Sequence, residues 1–244
     1  QALLFNSMIF PAAMTDADNR ARLEERKARK YKARAFDSFP IRYWDRWLDE
    51  RRPTLMLQSL EAGAEPRDLL AGTELARARG FGGNLADDGE LLDATWSPDG
   101  SAIVFAATTV RDQAAHADVY QALFVLPAGG GEPRRLTADE AGYSDPQFAP
   151  DGSALIGSMS DVSGSERLVK IDLAVLPAGS AEPADLFDFG NWSPSNFVFS
   201  PDGRYLYYSL DATGGPNFEY SRDSGTGIYA IDRLDRVKGE TERY

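Results

Sequence analysis

Three short segments fix most of what this chain can fold into: Trp96-Ser97-Pro98-Asp99-Gly100, Phe148-Ala149-Pro150-Asp151-Gly152 and Phe199-Ser200-Pro201-Asp202-Gly203. Their prolines are 52 and 51 residues apart. A second marker keeps the same step. Residues 123–136 and 173–186 share 9 of 14 residues at a spacing of 50. Glu65-Pro66-Arg67-Asp68-Leu69 is an earlier copy of the end of that marker. It lies 67 residues before Glu132, which places an insertion around Leu70 to Glu90. A period near 50 residues is the signature of propeller blades.

The chemistry of the repeat agrees. Proline presets the second position of a type I turn, and glycine relieves its exit. The aromatic before each turn is expected to pack between blades. Strand-like runs follow, such as Ala102 to Ala106 and Tyr205 to Tyr208, rich in β-branched or aromatic residues. Further strands are expected at Val119 to Leu126, Leu168 to Val175 and Gly227 to Ile231, with a short closing segment at Arg134 to Thr137. One repeat thus holds about four strands. The expected fold is all-β: a partial β-propeller of four-stranded antiparallel sheets, with an N-terminal helical segment. Residues 1–39 are read as a basic helical or linker segment, and 40–244 as about four blades at 40–95, 96–147, 148–198 and 199–244. The insertion, the ragged start and the abrupt end suggest an arc cut from a larger ring. The chain opens on Gln1, and an internal piece of a longer protein is expected.

Charge is unevenly spread. Residues 19–52 carry 12 Lys or Arg against 6 Asp or Glu, while 53–244 carry 14 against 30. An acidic body repels nucleic acid, so no nucleic-acid partner is expected. The basic stretch reads as a surface helix capped by Thr15 or Asp16 that docks on acidic protein surface. No apolar run approaches the roughly 20 residues of a membrane helix, and no membrane partner is expected. The absence of cysteine excludes disulfides and thiolate sites and leaves the compartment open between cytoplasm and periplasm.

The turn-and-strand repeat and the Leu-Pro-Ala-Gly closing segment resemble the propeller of prolyl oligopeptidase-family serine peptidases. The acylaminoacyl-peptidase and dipeptidyl-peptidase-like bacterial branch is the most similar. The propeller of the Tol translocation system shares the repeat. Tyr31-Lys32-Ala33-Arg34 through Arg42-Tyr43-Trp44-Asp45-Arg46-Trp47 is similar to a segment found inside the propeller of the peptidase branch. The doubled Ser-Pro of residues 191–203 also resembles that branch. The resemblance implies a catalytic α/β-hydrolase domain as partner, a peptide substrate, and proteolysis in which the propeller gates access. It also implies propeller glutamates that hold a substrate's free amine, for which Glu219 is the candidate. The alternative is a protein-binding propeller of the Tol type without enzymatic activity. A carbohydrate lyase on the same repeats would need several histidines.

No catalytic residue is assigned within the chain. The Gly-x-Ser-x-Gly elbow of such hydrolases is absent. His116 is the sole histidine; Asp112 and Asp118 could orient it, but no nucleophile is near in sequence. No metal and no cofactor are expected, since one histidine cannot make an ordinary zinc site. Asp16, Asp18 and Asn19 lack the glycine and glutamate of a calcium loop and read as a helix cap. Asp87-Asp88 and Asp139-Glu140 are adjacent acids suited to turns rather than to facing each other across a cleft. Phe81-Gly82-Gly83 is too short for a phosphate loop. Trp44 and Trp47 are expected in inter-blade packing. Open blade edges predict self-association through the terminal blades.

Overall fold

The computed structural model describes residues 1–10, 13, 15–31, 33, 36, 40–43, 45–48, 50–85, 90–137, 141–161, 166–171, 183–188, 193–211 and 230–243. Three four-stranded antiparallel sheets follow one another along the chain. The first of these holds β6 (Ala94–Trp96), β7 (Ala102–Ala107), β8 (Ala122–Pro127) and β9 (Arg134–Arg135). The next holds β10 (Gly142–Phe148), β11 (Leu155–Ser160), β12 (Glu166–Ile171) and β13 (Ala184–Asp185). The last holds β14 (Ser193–Phe199), β15 (Tyr205–Asp211), β16 (Ala230–Asp235) and β17 (Glu240–Arg243). Each Pro-Asp-Gly turn joins the first strand of its sheet to the second. The aromatic of the motif is the last residue of that first strand, so each sheet begins a few residues before the aromatic at which the blades were expected to start.

The earliest sheet is different. It has three strands in the order β1 (Ala2–Ile9), β4 (Arg52–Ser59) and β5 (Arg67–Asp68). Ala2 to Ile9 was assigned from the sequence to the segment 1–39, yet it pairs residue for residue with Arg52–Ser59. The helix α1 (Asp16–Ala28) and the hairpin of β2 (Arg42–Tyr43) and β3 (Arg46–Trp47) therefore sit inside this sheet's first hairpin. Helix α1 begins as the sequence predicts. Thr15 accepts a hydrogen bond from the Asp18 amide, and Asp18 accepts one from the Thr15 amide. Asn19 is buried and ties the helix to β1: its side chain accepts from the Phe10 amide and donates to the Met8 carbonyl.

Why the middle sheets read as unbroken apolar runs is clear from their packing. Along β7, Ile103, Phe105 and Ala107 face the preceding sheet, while Val104 and Ala106 face the following one. Side chains alternate across a strand, so a sheet buried on both faces needs apolar residues at every position. Leu155 and Ile156 divide in the same way between the second and third clusters. Trp96, Phe148 and Phe199 each pack, partly buried, against a different one of these three inter-sheet clusters. Trp47 does not share that role. It is about half exposed and stacks on Phe36 within the hairpin insertion, at 6.1 Å between ring centroids, with Arg42 over its face. Trp44 lies outside the described residues.

The turns are stapled by their aspartates. The Ser97 hydroxyl donates to Asp99 at 2.6 Å, the Ser101 amide donates at 3.0 Å, and the Gly100 amide closes the turn on the Ser97 carbonyl at 2.8 Å. These donors, led by Ser97, lower the Asp99 carboxyl to a pKa of about 2. Asp202 is lowered by Ser200 in the same way. Where Ala149 replaces the serine, Ser153 supplies the leading bond to Asp151. A depressed carboxyl favours the folded state while ionised. The Asp99 contribution is therefore complete above about pH 4 and fades as pH falls toward 2. Asp99→Asn should flatten the loss of urea resistance over that interval; an unchanged slope between pH 4 and pH 2.5 would refute the assignment.

Candidate functional site

The most chemically unusual group in the described residues is a buried ion pair. Arg111 opens a 3₁₀ turn (Arg111–Gln113) just beyond β7, and Glu90 lies on the approach to β6. Nε of Arg111 donates to Oε2 of Glu90 at 2.7 Å, and Nη2 donates to Oε1 at 2.6 Å. Both side chains are at most 3% exposed. Glu90 adopts φ of +53°, a left-handed conformation that a non-glycine residue takes at a cost.

The glycines of Phe81-Gly82-Gly83 explain how this pair is reached. A Cβ on Gly82 would lie 2.5 Å from Cδ of Arg111, and one on Gly83 would overlap the backbone carbonyls of Glu90 and Leu91. The two glycines let the chain pass directly over the pair, with Gly82 bridged to Thr108 and Asn84 bonded to the Leu91 carbonyl. Arg52 completes the cluster from β4, donating to the Phe81 and Arg79 carbonyls at 3.4 and 3.3 Å. Its pKa is lowered, first by burial and then by the charge of Arg111. A bidentate, buried arginine–carboxylate pair fixes geometry.

The insertion predicted at Leu70 to Glu90 is described from Leu70 to Leu85 and at Glu90. It carries the short helix α2 (Glu74–Arg77), capped by Thr73 and by Glu132, whose carboxylate accepts from the Glu74 and Leu75 amides. Arg67 donates to the Ala128 and Gly129 carbonyls of the next sheet. Arg67 of one copy of the marker and Glu132 of the next therefore both act across the boundary between the first two sheets.

His116 is exposed on the turn after Arg111, its amide bonded to the Gln113 carbonyl. Asp112 faces Arg79 at 3.8 Å, and Asp118 is exposed. The structure assembles no triad around the histidine among the described residues. Asp16 and Asp18 serve the helix N-terminus. Glu219, Asp87, Asp88, Asp139 and Glu140 lie outside the described residues. Among the described residues no cluster of three or more His, Cys, Asp or Glu side chains could hold a metal, and no helix is long and apolar enough to cross a membrane. The sequence reading missed Glu90, Arg111 and Arg52. Its one available signal was the paired glycine after Phe81.

With blades of this form and order, the fold is a β-propeller arc. The chain is similar in fold to TolB from Acinetobacter baumannii, at a TM-score of 0.51 and 19% identity, covering 79% of this chain and 37% of that one. In sequence it is 25% identical over 151 residues to the uncharacterized peptidase YuxL of Bacillus subtilis, covering 50% of this chain and 22% of YuxL. It is 21% identical over 184 residues to dipeptidyl-peptidase 5 of Porphyromonas gingivalis, covering 73% of this chain and 25% of that enzyme. No family model matches the chain. The two curated relatives support the resemblance to a propeller segment of prolyl oligopeptidase-family peptidases, and the chain spans about a quarter of their length.

Proposed function

We propose that this chain is the non-catalytic propeller portion of a serine peptidase. In the whole protein it would restrict access to the catalytic centre and help hold the peptide, with Glu219 binding the substrate's free amine. The reaction would be serine-mediated acyl transfer to water in an α/β-hydrolase domain. The observation that carries this reading is the sequence similarity to two bacterial peptidases, one of them across 73% of the chain. The likeness to TolB rests on fold, which many functions share. A Tol-type binding propeller is therefore the second reading.

Two measurements test the proposal. The purified chain should not hydrolyse aminoacyl or dipeptidyl chromogenic substrates; measurable hydrolysis would overturn its non-catalytic role. The gene read on from Tyr244 should encode a Gly-x-Ser-x-Gly elbow followed by Asp and His. A stop codon after one or two further blades would overturn the peptidase reading and favour the binding propeller.

A further inference from the structure

Arg236, just beyond β16, shows what the space between two neighbouring turns accepts. Its guanidinium lies over the Phe199 ring, 5.1 Å from the centroid. Nη1 donates to the Gly203 carbonyl, and Nη2 donates to the Ser153 hydroxyl oxygen at 3.1 Å. Asp151 lies beside it: a Cβ on Gly203 would meet Cγ of Asp151 at 3.6 Å and Nη1 of Arg236 at 3.7 Å. The cation thus has an aromatic face, two oxygen acceptors and a nearby carboxylate, which is the set a guanidinium uses. Phe199 and Gly203 belong to the last sheet, and Asp151 and Ser153 to the turn of the sheet before it.

The same set recurs one repeat earlier. Phe148 pairs with Leu155 as Phe199 pairs with Leu206, so Phe148 and Gly152 stand where Phe199 and Gly203 do. Asp99 and Ser101 flank Gly100 as Asp151 and Ser153 flank Gly152. Ser101 donates its hydroxyl proton to Asp99 at 2.8 Å, as Ser153 does to Asp151, which leaves the oxygen's lone pairs to accept. The two pairs of turns stack alike. A Cβ on Gly152 would touch Pro98 at 3.8 Å, and one on Gly203 would touch Pro150 at 3.4 Å. Phe148, Gly152, Asp99 and Ser101 all line one cleft of about 700 Å³ between two sheets that are both in the chain.

What differs is the source of the cation. Ile171 pairs with Leu155 as Leu234 pairs with Leu206. Counting two residues on from each gives Arg236 in the last repeat and Leu173 in this one, and residues 172–182 contain no Lys, Arg or His. Among the described residues, no nitrogen comes within 4 Å of the Cβ position at Gly152, where Arg236 supplies one at Gly203. The charged lining of the cleft is three carboxylates, Asp99, Asp151 and Glu132, against the single guanidinium of Arg134. The cleft therefore favours a cation that its own repeat does not bring.

We infer that the cleft between the Asp99 and Asp151 turns binds a guanidinium group supplied by another molecule. The group lies over Phe148 and donates to the Gly152 carbonyl and the Ser101 hydroxyl oxygen, with Asp99 as its counter-charge. This inference does not depend on the peptidase reading. The probe is Nα-acetyl-arginine methylamide, titrated into the intact chain and followed by its amide resonances. Gly152 and Ser101 should shift saturably, and Gly203 should not, because Arg236 already holds that place. The matching citrulline derivative, equal in shape but uncharged, should bind at least about tenfold more weakly. In Arg236→Ala, Gly203 should respond together with Gly152; in Ser101→Ala, the response at Gly152 should weaken. A capped pentapeptide with one central arginine among alanines separates the sources. Tighter binding than the single residue assigns the cleft to arginine within a polypeptide, and equal binding assigns it to the guanidinium group alone. No saturable shift at Gly152, or equal binding of the arginine and citrulline derivatives, would overturn the site. A response at Gly203 of Arg236→Ala without one at Gly152 would do so as well.

Discussion

Replacing Arg111 with methionine should cost about 3–5 kcal/mol of folding stability, the largest effect of any single substitution considered for this chain. The reason is the partner left behind. Glu90 is 3% exposed and would be left buried without its fork of donors. Domains of this size hold only about 5–15 kcal/mol in total, so the urea midpoint should fall steeply. Neutralising the acid as well should restore part of the loss: Glu90→Gln with Arg111→Met should be at least about 1 kcal/mol more stable than the sum of the two single changes. A loss below about 1 kcal/mol for Arg111→Met would show that water reaches Glu90 and that the pair is not the anchor its geometry indicates.

The second large effect is expected at Gly83. A methyl group there meets the carbonyls of Glu90 and Leu91, which are backbone and cannot swing aside. Overpacking of this kind costs about 1–3 kcal/mol and sometimes more. Gly129 supplies the internal control. A Cβ at Gly129 meets nothing within 4 Å, so Gly129→Ala should be close to neutral. Equal thermal midpoints for the Gly83→Ala and Gly129→Ala proteins would contradict the close approach over the ion pair.

The parts of this architecture that were legible in the sequence are those written locally. The Pro-Asp-Gly turns, the aromatic before each and the apolar runs after them all repeat within one period. They predicted four strands per repeat, which the three later sheets show. Helix α1 was legible because Thr15 and Asp18 cap it within a single turn. What escaped was non-local. β1 is separated from β4 by residues 10–51, and an apolar octapeptide ahead of a basic helix offers no sign of its distant partner. Glu90 and Arg111 are 21 residues apart and belong to no motif. Phe81-Gly82-Gly83 was visible, but a glycine pair in sequence does not say what approaches it. Here it is a buried side chain and a backbone strand, not a phosphate.

The insertion has a consequence for how the chain tolerates change. It leaves the sheet at Ile9 and re-enters at Arg52, and these two residues are themselves paired. The exit and entry points are thus one strand spacing apart, roughly 5 Å, the distance an ordinary hairpin turn spans. Residues 10–51 thus leave and rejoin the sheet at neighbouring positions, with Asn19 tying the helix back to β1 at the rim. The register of β1 on β4 is set by their own pairing, so a change of length confined to the loop between helix and hairpin leaves that register in place.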